Sequence, residues 1–410
     1  MITTDTSQKN RVPQLDFLRG IAILLVLFFH TLVSPDAAGM FRPIAAPLAR
    51  FGWTGVDLFF VLSGFLVGGL LLKEIKKTGR LDIPRFLIRR GLKIWPGYFA
   101  LLAYVFLQYA HHNGARSALI KILPNLIHLQ NYLGTIRGHT WSLAVEEHFY
   151  LLLPLLLLLL LKLRPGDNRA VSAVPMLAAV IAILCLGLRL AVVFLHPGGD
   201  WRMGETHLRV DGLFFGVFLA YAHHFHTERL ARFSAHRAPL LILAAVLIAP
   251  MFFFDAGSAF VCTVGYTLLY LGYGLLLTVT VHTPLDKTLP GKLLSSRAAK
   301  TIGFIGFYSY SIYLWFLDFA QEPLRRLIEH HPLHLPDSIL WPAEMAAYVA
   351  LALAVGVIAA KLIEFPALTL RDRIFPARAA APTVASTDPL PLASAVPPSA
   401  AGQTELTSAR

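Results

Sequence analysis

The residues of this chain that could take part in chemistry begin in an apolar stretch that contains ionisable groups. The stretch LDFLRGIAILLVLFFH, residues 15–30, is apolar enough to cross a membrane, yet it holds Asp16, Arg19 and His30. An ionisable group at membrane depth costs about 2.5–3.5 kcal/mol even on lenient insertion scales, so it usually marks an ion pair, a polar cavity or a reaction site. Because imidazole titrates near neutral pH, His30 is a candidate for proton transfer.

Polar residues also lie at the ends of three other apolar segments. Asp57 opens GVDLFFVLSGFLVGG, Ser142 and Glu146 form an i, i+4 pair in WSLAVEEHFY, and Arg209 and Asp211 open RVDGLFFG. Residues four apart share one helix face. If the segments alternate across the membrane, all five side chains lie at the same end as His30. We expect a polar chamber there, although a local Arg–Asp pair and first-turn acids that interact with the helix dipole are simpler interpretations of single motifs.

Basic residues gather at the opposite end. Arg90 and Lys93 share a helix face in RFLIRRGLKIWPGYF, and Arg19 lies about three turns, roughly 16 Å, from His30 on the first segment. These cations fit either the positive charge common on cytoplasmic loops or the binding of phosphate oxygens. Ser63, Gly64 and their neighbouring glycines fit close helix packing or the passage of a thin ligand chain.

Composition places these motifs in a membrane protein. The chain has 410 residues, of which 56% are hydrophobic and 15% charged, with a net charge of +12. The basic residues lie between apolar blocks rather than on one continuous face, so nucleic acid is not an expected partner. Cys185 and Cys262 sit in apolar runs and predict no disulfide framework. The histidine clusters lie in separate loops, and no metal site is expected.

The apolar blocks predict an all-α, polytopic transmembrane helical bundle of about ten spans. They lie near 16–33, 53–72, 94–111, 143–161, 171–195, 211–226, 237–254, 259–281, 302–320 and 340–361. Basic loops on one side predict that both termini are cytoplasmic. We expect a cytoplasmic segment at 1–14, a transmembrane domain at 15–378 and a disordered, Ala/Pro/Ser-rich cytoplasmic tail at 379–410. The first span has no cleavage-site pattern and is expected to stay as an anchor.

With these residues assigned, residues 13–370 resemble the membrane acyltransferase-3 family, bacterial inner-membrane enzymes that move acyl groups from acyl-CoA to sugars and other acceptors. Its motifs are matched by Arg19 and His30, by Phe59, Phe60, Ser63 and Gly64, by Trp141, Ser142, Leu143 and Glu146, and by Arg209 and Asp211. Where the family has Arg-x-x-Arg, this chain has Arg90-Gly-Leu-Lys93. Lysine keeps the charge there but lacks the bidentate guanidinium fork.

The resemblance implies an acyl-CoA-dependent O-acyltransferase of the inner membrane, with acetyl-CoA as the expected co-substrate, a carbohydrate or similar hydroxyl acceptor and no permanently bound cofactor. The expected base is His30, oriented by Glu146 or Asp57, and a covalent acyl-His30 intermediate is a variant of the same chemistry. Other residues receive binding roles. Acyl-CoA would contact Arg19, Arg90, Lys93, Ser63 and Gly64, and the acceptor or oxyanion would contact Trp141, Ser142, Arg209 and Asp211.

Two other classes of function fit the same sequence. A transporter or flippase for a lipid-linked saccharide also has many spans and intramembrane charges, but the chain shows neither internal duplication nor a pair of matching broken helices. A non-catalytic membrane partner or sensor would not need His30 or Glu146. The sequence does not specify the acceptor, the acyl length or the oligomeric state.

Overall fold

The computed structural model describes residues 12–32, 38–163, 168–199, 201, 203–285, 288–330 and 336–376. Within these ranges the chain is all-helical and has no strand. The predicted disordered tail and most of the predicted N-terminal segment lie outside the described residues.

Eighteen α-helices follow one another along the described part of the chain. They are α1 (Pro13–Phe29), α2 (Arg42–Phe51), α3 (Gly55–Thr78), α4 (Ile83–Asn113), α5 (Ala115–Leu126), α6 (Gln130–Leu133), α7 (Trp141–Leu163), α8 (Val174–Leu195), α9 (Thr206–Phe225), α10 (Thr227–Ala235), α11 (Arg237–Ile248), α12 (Tyr266–Val281), α13 (Leu289–Leu294), α14 (Arg297–Phe307), α15 (Ser309–Phe316), α16 (Glu322–His330), α17 (Asp337–Ala359) and α18 (Phe365–Ile374).

Five helical stretches are long and apolar enough to cross a membrane. They are Gly39–Thr78, Gly138–Leu163, Val171–Leu195, Val261–Val281 and Ile339–Ile374. Two bent pairs raise the number to seven if each pair is one span. They are Thr227–Ala235 with Arg237–Phe252, bent by 83°, and Arg297–Phe307 with Ser309–His330, bent by 62°. The protein is therefore a multi-pass membrane protein.

The predicted count of ten spans is not confirmed. A helix lies within each of the ten predicted segments, but α1, α4 and α9 are not among the stretches that qualify by length and apolar composition. Helix α1 has only 17 residues, α4 carries four basic residues in its first three turns, and α9 has Arg209 and Asp211 near its start. These three helices are the ones that carry the cations and the histidine singled out in the sequence.

Local signals in the sequence account for the sharp connection between α3 and α4. Gly79 ends α3 with φ +65°, a left-handed conformation that glycine adopts at low cost. Asp82 then caps α4, because its side chain accepts a hydrogen bond from the Arg85 amide at 3.2 Å. Because the connection is short, Arg90 and Lys93 lie within the first three turns of α4, close to the end of α3.

Helices α3 and α9 pack with their backbones in close contact. A Cβ added at Gly64 would overlap the carbonyl oxygen of Leu213, and one added at Gly216 would overlap that of Val61. Small residues permit this approach, as in other membrane helix pairs. Helix α1 packs against α3 and α14, so α1, α3 and α9 form the frame on which the polar residues are held.

Candidate active site

Two cavities lie between the helices of this frame. The Glu146 cavity has a volume of about 140 Å³, and its polar lining includes Arg19, Ser63, Arg90, Lys93, Ser142, Glu146 and Glu364. The His30 cavity has a volume of about 560 Å³, and its lining includes His30, His139, Trp141, Arg209 and Tyr266. Val56 and Tyr313 line both cavities. The two spaces therefore adjoin at these two side chains.

His30 is held in a defined orientation at the end of α1. Its Nδ1 lies 2.9 Å from the carbonyl oxygen of Val26. A carbonyl oxygen only accepts, so Nδ1 carries the hydrogen and Nε2 of the neutral ring keeps its lone pair. The ring packs edge-on against Phe29 and Phe316, and the His30 carbonyl accepts a 2.7 Å hydrogen bond from Gln321. This tautomer suits a general base.

Asp57 forms an ion pair with Arg209. The Arg209 Nη2 atom donates to the Asp57 Oδ1 atom at 2.6 Å, and Nη1 donates to the Met203 carbonyl oxygen at 3.1 Å. The guanidinium lies 3.9 Å from the ring centre of Tyr266 and 5.1 Å from that of Trp141. Asp57 therefore orients a buried cation whose side chain reaches the His30 cavity.

A second buried ion pair supports the first. Arg189 is 0% exposed, and its Nη1 lies 2.8 Å from the Asp211 Oδ2 atom. Arg189 also donates to the Leu208 carbonyl oxygen at 2.9 Å and to the Thr267 hydroxyl at 2.8 Å. These bonds hold the first turn of α9, on which Arg209 lies, against α8 and α12.

Glu146 belongs to a hydrogen-bond chain in its own cavity. The Tyr150 hydroxyl donates to the Glu146 Oε2 atom at 2.5 Å. Because its one proton is used there, the Tyr150 oxygen accepts from Ser63 at 3.0 Å and from Arg90 at 3.1 Å. The chain joins α3, α4 and α7 and leaves Glu146 with one hydrogen-bonded carboxylate oxygen.

The three predicted cations meet on the Glu146 cavity. Arg19, Arg90 and Lys93 line it together with Glu364, from the π-helical turn that follows α17. Arg19 donates to Asp16 at 3.2 Å, and Glu364 accepts a 2.8 Å hydrogen bond from Ser311. The cavity thus combines three basic groups with two carboxylates.

Ser142 is hydrogen-bonded to Tyr313. The two hydroxyls lie 2.6 Å apart, and both are within hydrogen-bond distance of the His139 carbonyl oxygen, Tyr313 at 2.7 Å and Ser142 at 3.4 Å. Ser142 and Tyr313 therefore share one acceptor and are linked to each other. Trp141, one residue earlier, points into the other cavity and packs edge-on against Phe60.

Comparison with known families gives one match over most of the chain. The sequence profile of the acyltransferase-3 family, described as an acyltransferase domain, matches residues 12–361. The chain belongs to this family.

Several curated proteins are similar to this acyltransferase-3 chain. The peptidoglycan O-acetyltransferase OatA of Listeria monocytogenes is 28% identical over 334 residues, which are 76% of this chain and 50% of the relative. The putative peptidoglycan O-acetyltransferase YrhL of Bacillus subtilis is 25% identical over 76% of this chain and 49% of its own length. The O-acetyltransferase OatA of Staphylococcus aureus is 25% identical, over 74% and 50% respectively. The chain thus spans about half the length of these relatives. No solved structure matches it.

The structure distributes the motif residues of this acyltransferase-3 chain between the two cavities rather than in one chamber. His30, Trp141 and Arg209 line the His30 cavity. The other cavity is lined by Arg19, Ser63, Arg90, Lys93, Ser142 and Glu146. Asp57, Gly64 and Asp211 line neither, since Asp57 and Asp211 pair with arginines and Gly64 faces α9. His30 has its Nδ1 bond with a backbone carbonyl, and neither Asp57 nor Glu146 is bonded to its ring.

Several site residues were missed in the sequence. Arg189 is the only charged residue within α8, which is a sufficient signal for a buried ion pair. Tyr150 lies four residues after Glu146 and so shares its helix face. Tyr313, Glu364 and His139 carry no such signal, because their positions depend on how distant helices pack.

Proposed function

We propose that the protein is a membrane O-acyltransferase that moves an acyl group, expected to be acetyl, from acyl-CoA to a hydroxyl of a carbohydrate. The observation that carries this proposal is the contact between a cation-lined cavity and a histidine-lined cavity at Val56 and Tyr313. One space suits an anionic donor and the other a neutral, hydroxyl-bearing acceptor. Family membership makes acyl transfer the first reaction to test.

In this proposal the donor binds in the Glu146 cavity. Arg19, Arg90 and Lys93 would contact the phosphates of coenzyme A, because guanidinium and ammonium groups are the usual partners of phosphate oxygens. Ser63 lines the same cavity as Tyr313 and would contact the pantetheine arm. Glu146, through Tyr150, orders Arg90 and Ser63, so its role would be to shape the donor site rather than to orient His30.

The reaction would take place where the cavities meet. The Nε2 atom of His30 takes the proton of the acceptor hydroxyl, and the hydroxyl oxygen attacks the thioester carbonyl carbon. The C–S bond breaks, coenzyme A leaves as the thiolate, and the imidazolium returns the proton to it. Arg209, held by Asp57, would stabilise the negative charge that develops on the carbonyl oxygen.

The two ends of the protein would face different compartments. The positive-inside rule predicts that the end of α1 with Arg19 is cytoplasmic, where acyl-CoA is available, and that the His30 cavity faces the opposite side. The names of the curated relatives make peptidoglycan the first acceptor to test.

The proposal is tested in sealed vesicles that contain the full chain. Acetyl-CoA is supplied on the Arg19 side and peptidoglycan fragments on the other, and acetylated product is measured by mass spectrometry. His30→Ala should lose about 100-fold or more of the transfer rate, which is typical for a general base. His111→Ala, at an exposed histidine outside both cavities, is the matched control and should keep the rate. Equal transfer by wild type and His30→Ala removes His30 from the mechanism.

The same vesicles separate the enzyme from a carrier. Movement of a saccharide across the membrane without acyl-CoA, and without any acetylated product, would contradict the proposal and favour the transporter.

A further inference from the structure

The boundary between the two cavities is formed by two side chains. Of the described residues that line the cavities, Val56 on α3 and Tyr313 on α15 are shared by both. The phenol of Tyr313 is the larger of the two and is 7% exposed. Any group that moves from one cavity to the other has to pass these residues.

Tyr313 is held firmly at this place. Its hydroxyl is bonded to Ser142 and to the His139 carbonyl oxygen, both at less than 3 Å. Its ring packs edge-on against Phe59 and His139, with ring centres 6.3 and 5.5 Å apart. A ring that is fixed at its hydroxyl and packed against two other rings is a stiff obstacle rather than a mobile side chain. Ser142 accordingly acts as a positioning residue for this ring.

We propose that Tyr313, together with Val56, determines the length of the acyl group that the protein transfers. This inference rests on the proposed function, in which the thioester enters from the Glu146 cavity and reacts at the boundary. The acyl end of the donor then points at the Tyr313 ring. A methyl group would fit beside the ring, whereas each further methylene would have to displace the buried Tyr313 ring or the half-buried Val56 side chain.

The Tyr313 ring separates the Glu146 cavity, in which the donor would bind, from the larger His30 cavity. Removing the ring would join the two spaces. A longer acyl group could then extend into the His30 cavity.

The experiment compares acyl donors within one enzyme preparation. Acetyl-, propionyl-, butyryl- and hexanoyl-CoA are supplied separately to vesicles, and kcat/KM is measured for each with the same acceptor. The ratio of the acetyl to the butyryl value does not depend on the fraction of folded enzyme. In wild type we expect acetyl to be preferred by about 10-fold or more, the usual discrimination for added methylenes in a tight apolar site.

Three variants and one control test the role of the ring. Tyr313→Ala should lower the acetyl-to-butyryl ratio by about 10-fold or more, and Val56→Ala, at the other shared lining residue, should also lower it. Tyr313→Phe keeps the ring, so it should keep the preference for acetyl even if its rate falls. Tyr98→Ala removes another fully buried tyrosine ring that lines neither cavity, and its ratio should equal that of wild type.

The outcomes separate this inference from the function on which it rests. If wild type transfers no acyl group from any thioester, the proposed function fails. If wild type transfers acetyl and the ratio is the same in Tyr313→Ala and Val56→Ala as in wild type, the function stands and the role of Tyr313 is overturned. Should Tyr313→Ala fail to fold, Val56→Ala alone decides, with a changed ratio supporting the inference and an unchanged ratio overturning it.

Discussion

Asp57 and Arg209 lie 152 positions apart in the chain and form a 2.6 Å hydrogen bond between α3 and α9. Both side chains are buried, and the guanidinium also lies on the ring of Tyr266. The sequence predicts Glu146 or Asp57 as the residue that orients His30, and a separate contact of Arg209 with the acceptor or oxyanion. In the structure Asp57 instead holds the cation that reaches the His30 cavity.

Variants of the Asp57–Arg209 pair should change the stability and the activity of the protein independently. Asp57→Ala leaves the Arg209 charge buried and unpaired, which should lower the free energy of unfolding by about 3–5 kcal/mol and abolish transfer. The double variant Asp57→Leu/Arg209→Met replaces both charges by apolar groups and should regain most of the stability without regaining activity. Thermal unfolding in detergent and acetyl transfer in vesicles measure the two quantities. Recovery of transfer by the double variant would show that Arg209 has no part in the reaction.

Much of the fold follows from the sequence, since apolar stretches with the right length predict helices directly. Each of the ten predicted segments contains a helix, including the two regions that the structure bends. The count of ten spans is not confirmed, because α1 is short, α9 begins with charged residues, and α4 combines a basic start with aromatic and polar residues further along. A charged helix that is buried by its neighbours can lie at membrane depth, and the sequence alone does not report those neighbours.

The site was predictable in composition but not in pairing. The cations Arg19, Arg90 and Lys93 share a cavity as their position along α1 and α4 indicated. Glu146 and His30 line different cavities, since the partner of each is set by helix rotation and not by sequence spacing. The boundary residue Tyr313 lies in an uncharged helix, where only the tertiary structure identifies it.

Removing either partner of the Arg189–Asp211 ion pair should lower the stability of the protein. Arg189→Ala should lower the free energy of unfolding by about 3–5 kcal/mol, because Asp211 then remains buried without its countercharge. The exposed pair of Arg326 and Glu322 is the control, and Arg326→Ala should change stability by less than about 1 kcal/mol. Thermal unfolding in one detergent compares both variants. Similar losses in the two variants would mean that burial does not decide the strength of these pairs.

Substitution of Gly64 should disturb the packing of α3 against α9 rather than the binding of the donor. An alanine at this position would force its Cβ into the Leu213 carbonyl, so Gly64→Ala should destabilise the protein by about 1–3 kcal/mol. Gly187→Ala in α8 is the matched control, since no atom lies within 4 Å of its added Cβ and alanine favours the helix. A variant that keeps its stability but shows a raised KM for acetyl-CoA would restore Gly64 to the donor site.

Protonation of His128 should lower the stability of the protein at acidic pH. It lies in the connection between α5 and α6 with φ +56°, and its ring stacks on Tyr98 at 4.9 Å between ring centres. Burial, together with the nearby His148 imidazole, lowers the pKa of His128 to about 4, whereas an unfolded chain has a histidine pKa near 6.5. Between these values the unfolded state binds the proton more readily, so stability is fully present above about pH 6.5 and falls as the pH decreases towards about 4.

The variant that isolates this effect is His128→Asn, because asparagine does not titrate and tolerates the left-handed backbone. Between pH 7 and pH 5 the unfolding temperature of His128→Asn should fall less than that of wild type. The difference between the two falls should be about 2 °C for each kcal/mol of stability that protonation of His128 removes from wild type. His111→Asn, at an exposed histidine, controls for the general effect of losing an imidazole and should follow wild type. An equal fall in His128→Asn and wild type would place the acid sensitivity elsewhere in the chain.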